Sequence, residues 1–196
     1  WTPQASGTTN ALYDVFFRDA NNGTVVGGNG TILRTTNGGT TWTKQISGTT
    51  KYLWGVFFID VNNGAAVGEG GTILHTTNGG TTWTLQFWQQ YFLYGVCFTD
   101  ANNGTVVGAG VILRTTNGGI TWTSQASDAH YVASAVSFTD ANNGTAVGGA
   151  GTIIRTTNGG IDWTLQTSGI FTGSLYGVSF TDTNNGTAVG VKSEGF

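Results

Sequence analysis

The sequence predicts an all-β fold on three observations. Its apolar residues fall in short runs rich in Val, Ile, Phe and Tyr, such as LYDVFF at 12–17, which are too short for helices. Gly-rich and Asn-Gly steps punctuate the runs, and these supply the positive backbone angles that tight turns need. No stretch places apolar residues at the 3.6-residue helical period between caps, so essentially no helix is expected.

The runs recur with a fixed period. Trp1, Trp42, Trp83, Trp122 and Trp163 stand 41, 41, 39 and 41 residues apart, and Asp-x-Asn-Asn-Gly turns begin at Asp19, Asp60, Asp100, Asp140 and Asp182. Each unit reads as four strands. The first is LYDVFF, with counterparts LWGVFF, LYGVCF, SAVSF and LYGVSF. The Asp-x-Asn-Asn-Gly turn follows, its side chains suited to capping local amides. The second strand, TVVG at 24–27, turns through Gly-Asn-Gly into the third, TILRT at 31–35. A hairpin, TNGGTT, then leads to the fourth, TWTKQ at 41–45.

Four antiparallel strands in a unit of about forty residues make a propeller blade. Consecutive apolar residues at Val15, Phe16 and Phe17 fit a blade packed on both faces. The expected architecture is a single domain over 1–196, a five-bladed β-propeller of four-stranded antiparallel blades at 12–45, 53–86, 93–125, 133–166 and 175–196 plus 1–4. Residues 1–4 are expected to close the ring by pairing this N-terminal strand with the C-terminal strands. The final KSEGF, 192–196, is a poor third strand. If it does not pair, the chain is a piece of a longer protein or completes its blade with another chain.

Composition narrows the function. Seven basic and ten acidic residues give a net charge of −3, without the basic footprint that nucleic acid or an anionic membrane demands. No apolar run is long enough to span a bilayer, so membrane insertion is not expected. Only 9% of residues are charged, and Gly, Thr and Asn leave a neutral, hydrogen-bonding surface that suits an extracellular, cell-surface or periplasmic protein. The single Cys97 lies in a repeated apolar strand and is expected to be a buried thiol.

The hairpin carries a resemblance. TTNGGTTW at 35–42 resembles the Asp-box of bacterial neuraminidase repeats, Ser/Thr-x-Asp-x-Gly-x-Thr-Trp, and the unit LYGVxFTDxNNGTAVGxxGTILRTTNGGxTW is similar to the repeat of photosystem II assembly and stability factors and their bacterial relatives. The resemblance covers essentially the whole chain. It implies a propeller in which Asn37 and Trp42, Asn78 and Trp83, Asn117 and Trp122, and Asn158 and Trp163 are structural box residues remote from the functional face. The box Asp is Asn in all four copies, which keeps an acceptor and removes the carboxylate, and Asp162 replaces a Thr in the last. The photosystem factors have more than five blades and a basic surface, features not visible here, so a photosynthetic role is not carried over.

Catalysis needs converging groups of shifted acidity, and these are not evident. One carboxylate per Asp-x-Asn-Asn-Gly turn is thin for calcium, so turn capping is expected and no metal or cofactor. The remaining acids are Asp14, Asp128, Asp162, Glu69 and Glu194. A sialidase, by resemblance, requires an arginine triad; Arg34, Arg114 and Arg155, with His75, instead share one repeat position beside the hairpin. An enzyme is not expected.

The copies diverge in one connection, from the fourth strand of a unit to the first of the next: 5–11, 46–52, 87–92, 126–132 and 167–174. In an antiparallel blade this connection and the second-to-third-strand turn emerge at one end, opposite the box hairpin. Loops on a rigid frame carry function, so binding is expected there. The candidate ligand-binding residues are Phe87, Trp88, Tyr91, Phe92, His130, Tyr131 and Phe171, with Tyr13, Trp54, Tyr94 and Tyr176 at the first-strand starts. Because the loops differ from one another, the leading reading is a non-catalytic scaffold for a protein partner. The alternatives are a carbohydrate-binding module using these aromatics and a structural domain of a longer extracellular protein or assembly.

Overall fold

The computed structural model describes residues 3–125, 132–167, 169 and 173–192. The chain divides into two compact units, Trp1–Gln90 and Tyr91–Phe196. The first unit holds two four-stranded sheets, β1 (Leu12–Phe17), β2 (Gly23–Gly27), β3 (Ile32–Thr35) and β4 (Thr43–Gln45), then β5 (Leu53–Phe58), β6 (Gly64–Gly68), β7 (Thr72–Thr76) and β8 (Thr84–Phe87). A single 3-10 turn, Glu69–Gly71, joins β6 to β7. The second unit holds β9 (Leu93–Phe98), β10 (Gly104–Gly108), β11 (Val111–Thr115) and β12 (Thr123–Ser124), then β13 (Ala133–Phe138), β14 (Gly144–Gly148), β15 (Ile153–Thr156) and β16 (Thr164–Gln166), and a two-stranded sheet of β17 (Gly173–Phe180) and β18 (Gly186–Lys192). Every pairing is antiparallel between strands consecutive in sequence, as the blade pattern requires.

Sheets stack in sequence order within each unit. β5 packs on β1 and β2, β13 on β9 and β10, and β17 on β13 and β14. That stacking makes the second strands the core, and β2, β6, β10 and β14 are buried along their whole length. Val26, Ile32, Leu53, Val56 and Leu74 form the centre of the first unit, and Val107, Ile112, Ala133, Ala146 and Ile154 that of the second.

One local packing motif repeats. A Cβ built on Gly23, Gly64, Gly104, Gly144 or Gly186 would stand 2.5 to 2.8 Å from the ring of Phe17, Phe58, Phe98, Phe138 or Phe180, so the glycine ending each Asp-x-Asn-Asn-Gly turn exists to let that ring lie over the backbone. In four copies the ring then meets the box Trp edge-on: Phe17 with Trp42, Phe58 with Trp83, Phe98 with Trp122 and Phe138 with Trp163, at centroid separations of 5.9 to 6.0 Å.

The box itself folds on its Asn. Asn78 Oδ1 accepts from Thr82 N and from Thr76 Oγ1, while Nδ2 donates to Thr82 Oγ1. Thr76 Oγ1 in turn accepts from Gly80 N. The copies at Asn37 and Asn117 are the same, and at Asn158 the Nδ2 donates to Asp162 Oδ2 instead.

Two expectations about packing change. β1 is more open than a strand covered on both faces: Val15 is 53% and Phe17 44% exposed, and within this unit β5 is the neighbouring sheet's strand packed on it among the described residues. In the last repeat, β18 runs straight on to Lys192, paired with Gly173 of β17, instead of turning after Gly190 into a third strand. Pro3 and Gln4 are not in a strand, and Trp1, Thr2 and 193–196 lie outside the described residues, as do the closing contacts expected of them.

Two predictions follow from these environments. Gly144–Gly148 and Gly186–Gly190 are the same pentapeptide, GTAVG, buried in β14 and exposed in β18. Hydrogen exchange of the β18 amides that do not bond β17 is expected to outrun their β14 counterparts by about two orders of magnitude. Equal protection would show that β18 has a partner. Restoring the box carboxylate is expected to be nearly neutral for Asn78→Asp, where the Thr82 hydroxyl can turn to donate. Asn158→Asp, facing the Asp162 carboxylate, is expected to cost about 1 kcal/mol more in thermal denaturation at neutral pH. Equal losses would refute that difference.

Candidate functional site

The two ends of each sheet differ in chemistry. At one end the box hairpin is tied to its own sheet's Asp-x-Asn-Asn-Gly turn by the bonds Gly38 N to Asn21 O, Gly79 N to Asn62 O, Gly118 N to Asn102 O and Gly159 N to Asn142 O, at 2.8 to 2.9 Å. The turn aspartates are consumed locally. Asp100 Oδ1 accepts from Asn102 N and Asn103 N, and the Asn103 side chain donates to both carboxylate oxygens. These bonds hold the Asp60, Asp100, Asp140 and Asp182 carboxyls below the usual carboxylate range: the neighbouring Asn side chain leads at Asp60, Asp100 and Asp182, and the Asn142 amide at Asp140. No cluster of three metal-ligating side chains occurs among the described residues.

The repeated arginines serve the frame. Arg155 Nη2 donates to Thr183 O of the next repeat's turn at 2.8 Å. Arg34 and Arg114 lie 3.4 Å from where a Cβ on Gly79 or Gly159 would stand, in the box hairpin of the following sheet. Arg155 thus bridges one sheet to the next, and Arg34 and Arg114 each reach toward the sheet that follows their own. Cys97 is buried, which pushes its thiol up to about 11. Asp14 is also structural: Oδ2 accepts from Val56 N of β5 and Oδ1 from Val15 N, and burial raises its carboxyl against those bonds.

The opposite end is open. In the first unit the connection 46–52 is set by its own side chains: Ser47 Oγ donates to Thr49 O, and Lys51 N donates to Thr49 Oγ1. It lies against the β2–β3 turn, where Gly30 N donates to Lys51 O and a Cβ on Gly30 would stand 1.9 Å from Thr49 O. This brings the connection and the second-to-third-strand turn together at one end, as the antiparallel blade predicts. Between them and the outer strands β4 and β8 is a groove of about 770 Å³ lined by Lys44, Ile46, Lys51, Leu85, Phe87 and neighbouring loop atoms. Ile46 is 86% and Phe87 64% exposed.

The sequence candidates separate accordingly. Phe87 lines the groove. Trp88 is half-buried, with its Nε1 enclosed and without a hydrogen-bond partner. Tyr13, Tyr52 and Trp54 form a chain of ring contacts, Tyr13 edge-on to Tyr52 at 6.1 Å and Tyr52 tilted on Trp54 at 6.4 Å. In the second unit Tyr91 and Tyr94 are half-buried, Phe92 is exposed, and Tyr176 on β17 is 60% exposed. His130, Tyr131 and Phe171 lie outside the described residues.

Sequence reasoning missed Lys44, Ile46, Lys51, Tyr52 and Leu85. A signal was present: Lys44 and Ile46 occupy the same two repeat positions as Leu85 and Phe87, the second and fourth residues after the box Trp, where the other copies have Ser124 and Ala126, and Leu165 and Thr167. Positions two apart on a strand share a face, so their divergence marks one surface.

Comparison with known proteins places this geometry. A family model described as Photosynthesis system II assembly factor YCF48 matches residues 1–90 and 85–164. No curated protein matches the chain. Among solved structures, YCF48 bound to D1 peptide is similar with a TM-score of 0.58 and 18% identity, over 94% of this chain and 92% of that one. YCF48 from Cyanidioschyzon merolae gives 0.72 and 19%, over 97% and 70%. An ancestral GH74 enzyme gives 0.77 and 17%, over 99% of this chain and 29% of that one. At these identities the likeness is one of fold.

The turn carboxylates set the response to acid. Their pKa values are lowered in the folded chain, so the stability they contribute is present above the ordinary Asp value of 3.8 and is lost as pH falls below it. Asp14 has the opposite sign, stabilising below 3.8 and less so as pH rises through its raised value. With four such turns against one Asp14, the melting temperature is expected to fall below about pH 4, and Asp100→Asn is expected to make that fall shallower. A melting temperature flat down to pH 2 would show that these bonds contribute nothing.

Proposed function

The chain belongs to the Photosynthesis system II assembly factor YCF48 family, and on that premise we propose that it is a non-catalytic scaffold that binds a protein partner at the connection end of its sheets. The observation that carries the reading is the groove of the first unit. Phe87 at the end of the outer strand β8 and Ile46 just after the outer strand β4 stand exposed, beside a connection already fixed by its own hydrogen bonds. Exposed apolar side chains in a preformed groove favour association, since little ordering entropy remains to be lost. A family member solved with a peptide, YCF48 bound to D1 peptide, supports the same class of ligand. The non-catalytic part rests on carboxylates spent in turns and on arginines spent between sheets.

The carbohydrate reading is weaker at the residues it relies on. Trp88 keeps its indole N–H inside, and Tyr13, Tyr52 and Trp54 contact one another. Sugar recognition needs an open aromatic face with polar groups beside it.

The test is a pair of arrays, one of immobilised glycans and one of random dodecapeptides, probed with the labelled chain. Retention on peptides, reduced by Phe87→Ala, is the expected result. Retention on glycans alone would replace the proposal with the carbohydrate-binding reading.

A further inference from the structure

The groove has a distinctive charge. The chain contains three lysines, Lys44, Lys51 and Lys192, and two of them line this groove, while no carboxylate does. The counter-ion nearest at hand is Glu69, whose Oε1 lies 3.5 Å from Lys51 Nζ, with both side chains partly exposed. Such a pair is weak and exchangeable. In a protein with 9% charged residues and a net charge of −3, this is a local excess of positive charge set among apolar side chains.

The groove also borders a free strand edge. β4 is the last strand of its sheet, bonded to β3 through Ile32 with Gln45, Leu33 with Lys44 and Arg34 with Thr43, and its other edge carries no strand among the described residues. Unpaired N–H and C=O groups along such an edge are a template for another extended chain.

We propose that this groove takes an extended peptide segment of a partner protein, adding as a strand along the outer edge of β4. Its acidic residues face Lys44 and Lys51, and an aliphatic or aromatic residue lies between Ile46, Leu85 and Phe87. Backbone pairing supplies register, and alternation along the added strand sends every second side chain to the same face. The lysines select acidic over basic segments, and the apolar wall selects against uniformly charged ones. A glycan is disfavoured here because no Trp or Tyr lines the groove. The inference rests on the protein-binding reading and names the class of segment.

The probe is a fluorescein-labelled octapeptide whose odd positions alternate Glu with Phe and whose even positions are Thr, so that acidic and apolar side chains share one face, followed by fluorescence anisotropy and by hydrogen exchange of the intact chain. Binding is expected to slow exchange in Thr43–Ile46, and to weaken by about tenfold or more both in Lys44→Glu/Lys51→Glu and when the peptide's acids are replaced by Lys. The substituted lysines are at the surface, and an unchanged circular dichroism spectrum and melting temperature confirm that the variant is folded. Equal binding to the variant, or binding without protection at β4, overturns the groove while leaving protein binding intact. Peptides captured on the array without any acidic preference overturn the charge rule alone. Concentration-dependent self-association that protects β4 without peptide would assign the edge to a second copy and overturn the proposal. Silence of both this probe and the peptide array would remove the protein-binding reading with it.

Discussion

Each repeat is organised by a phenylalanine ring lying over a glycine. The ring at the end of the first strand occupies the space a side chain on the first residue of the second strand would need, at Phe58 over Gly64 or Phe98 over Gly104, and makes a T-shaped contact with the box Trp. Three segments far apart in the repeat, the first strand, the turn glycine and the hairpin, are thereby fixed by one contact. The hairpin's own Asn then needs only to close its turn, and its Gly needs only to reach the Asp-x-Asn-Asn-Gly carbonyl. Because the contact lies at the turn end of the sheet, that end has little freedom to diverge. Variation is left to the other end and to the exposed faces of the outer strands.

The same division explains what the sequence disclosed. The strand order, the turns and the box could be read directly, since each depends on local chemistry repeated four or five times: Asn-Gly steps, glycines at positive φ such as Gly39 and Gly80, and the Trp at fixed spacing. The burial of the second strands was not in the run itself: GTAVG is buried in β14 and exposed in β18. The groove was harder to see. Lys44 and Leu85 are separated by one whole repeat and become neighbours only when two sheets stack, so no window along the chain contains both. Trp88 shows a further detail that no window of sequence contains: its indole N–H is enclosed while the residue as a whole is half-buried. β1 shows that packing cannot be inferred from apolar pattern alone: LYDVFF and LWGVFF have one pattern, yet β1 is more exposed than β5.

Function in such a frame is carried by departures from the repeat. Arginine at 34, 114 and 155 is part of the pattern and reaches from one sheet toward the next, with Arg155 bonded across. Lysine at 44 is a departure, in a position that holds Leu or Ser in the other copies, and it faces solvent. Asp14 departs as well, standing where three other copies have Gly55, Gly95 and Gly177, but its carboxylate is turned to the Val56 amide and serves the junction of β1 with β5. A departure is therefore informative only together with its surroundings, and the outer strands, with one edge unpaired, are where a new side chain has room to meet something else.

The box asparagines have a consequence for chemical ageing. Each precedes a glycine, the pairing in which an amide side chain is most readily lost, because the following backbone nitrogen is unhindered when it attacks the side-chain carbonyl. Here that nitrogen is committed: Gly38, Gly79, Gly118 and Gly159 all donate to the turn carbonyl of their own sheet. The side-chain carbonyl is committed too, accepting from the backbone amide of Thr41, Thr82, Thr121 or Asp162. The hydrogen bonds that shape the turn also hold the two reacting atoms in place, so the hairpin's lifetime against deamidation is set by how often it opens.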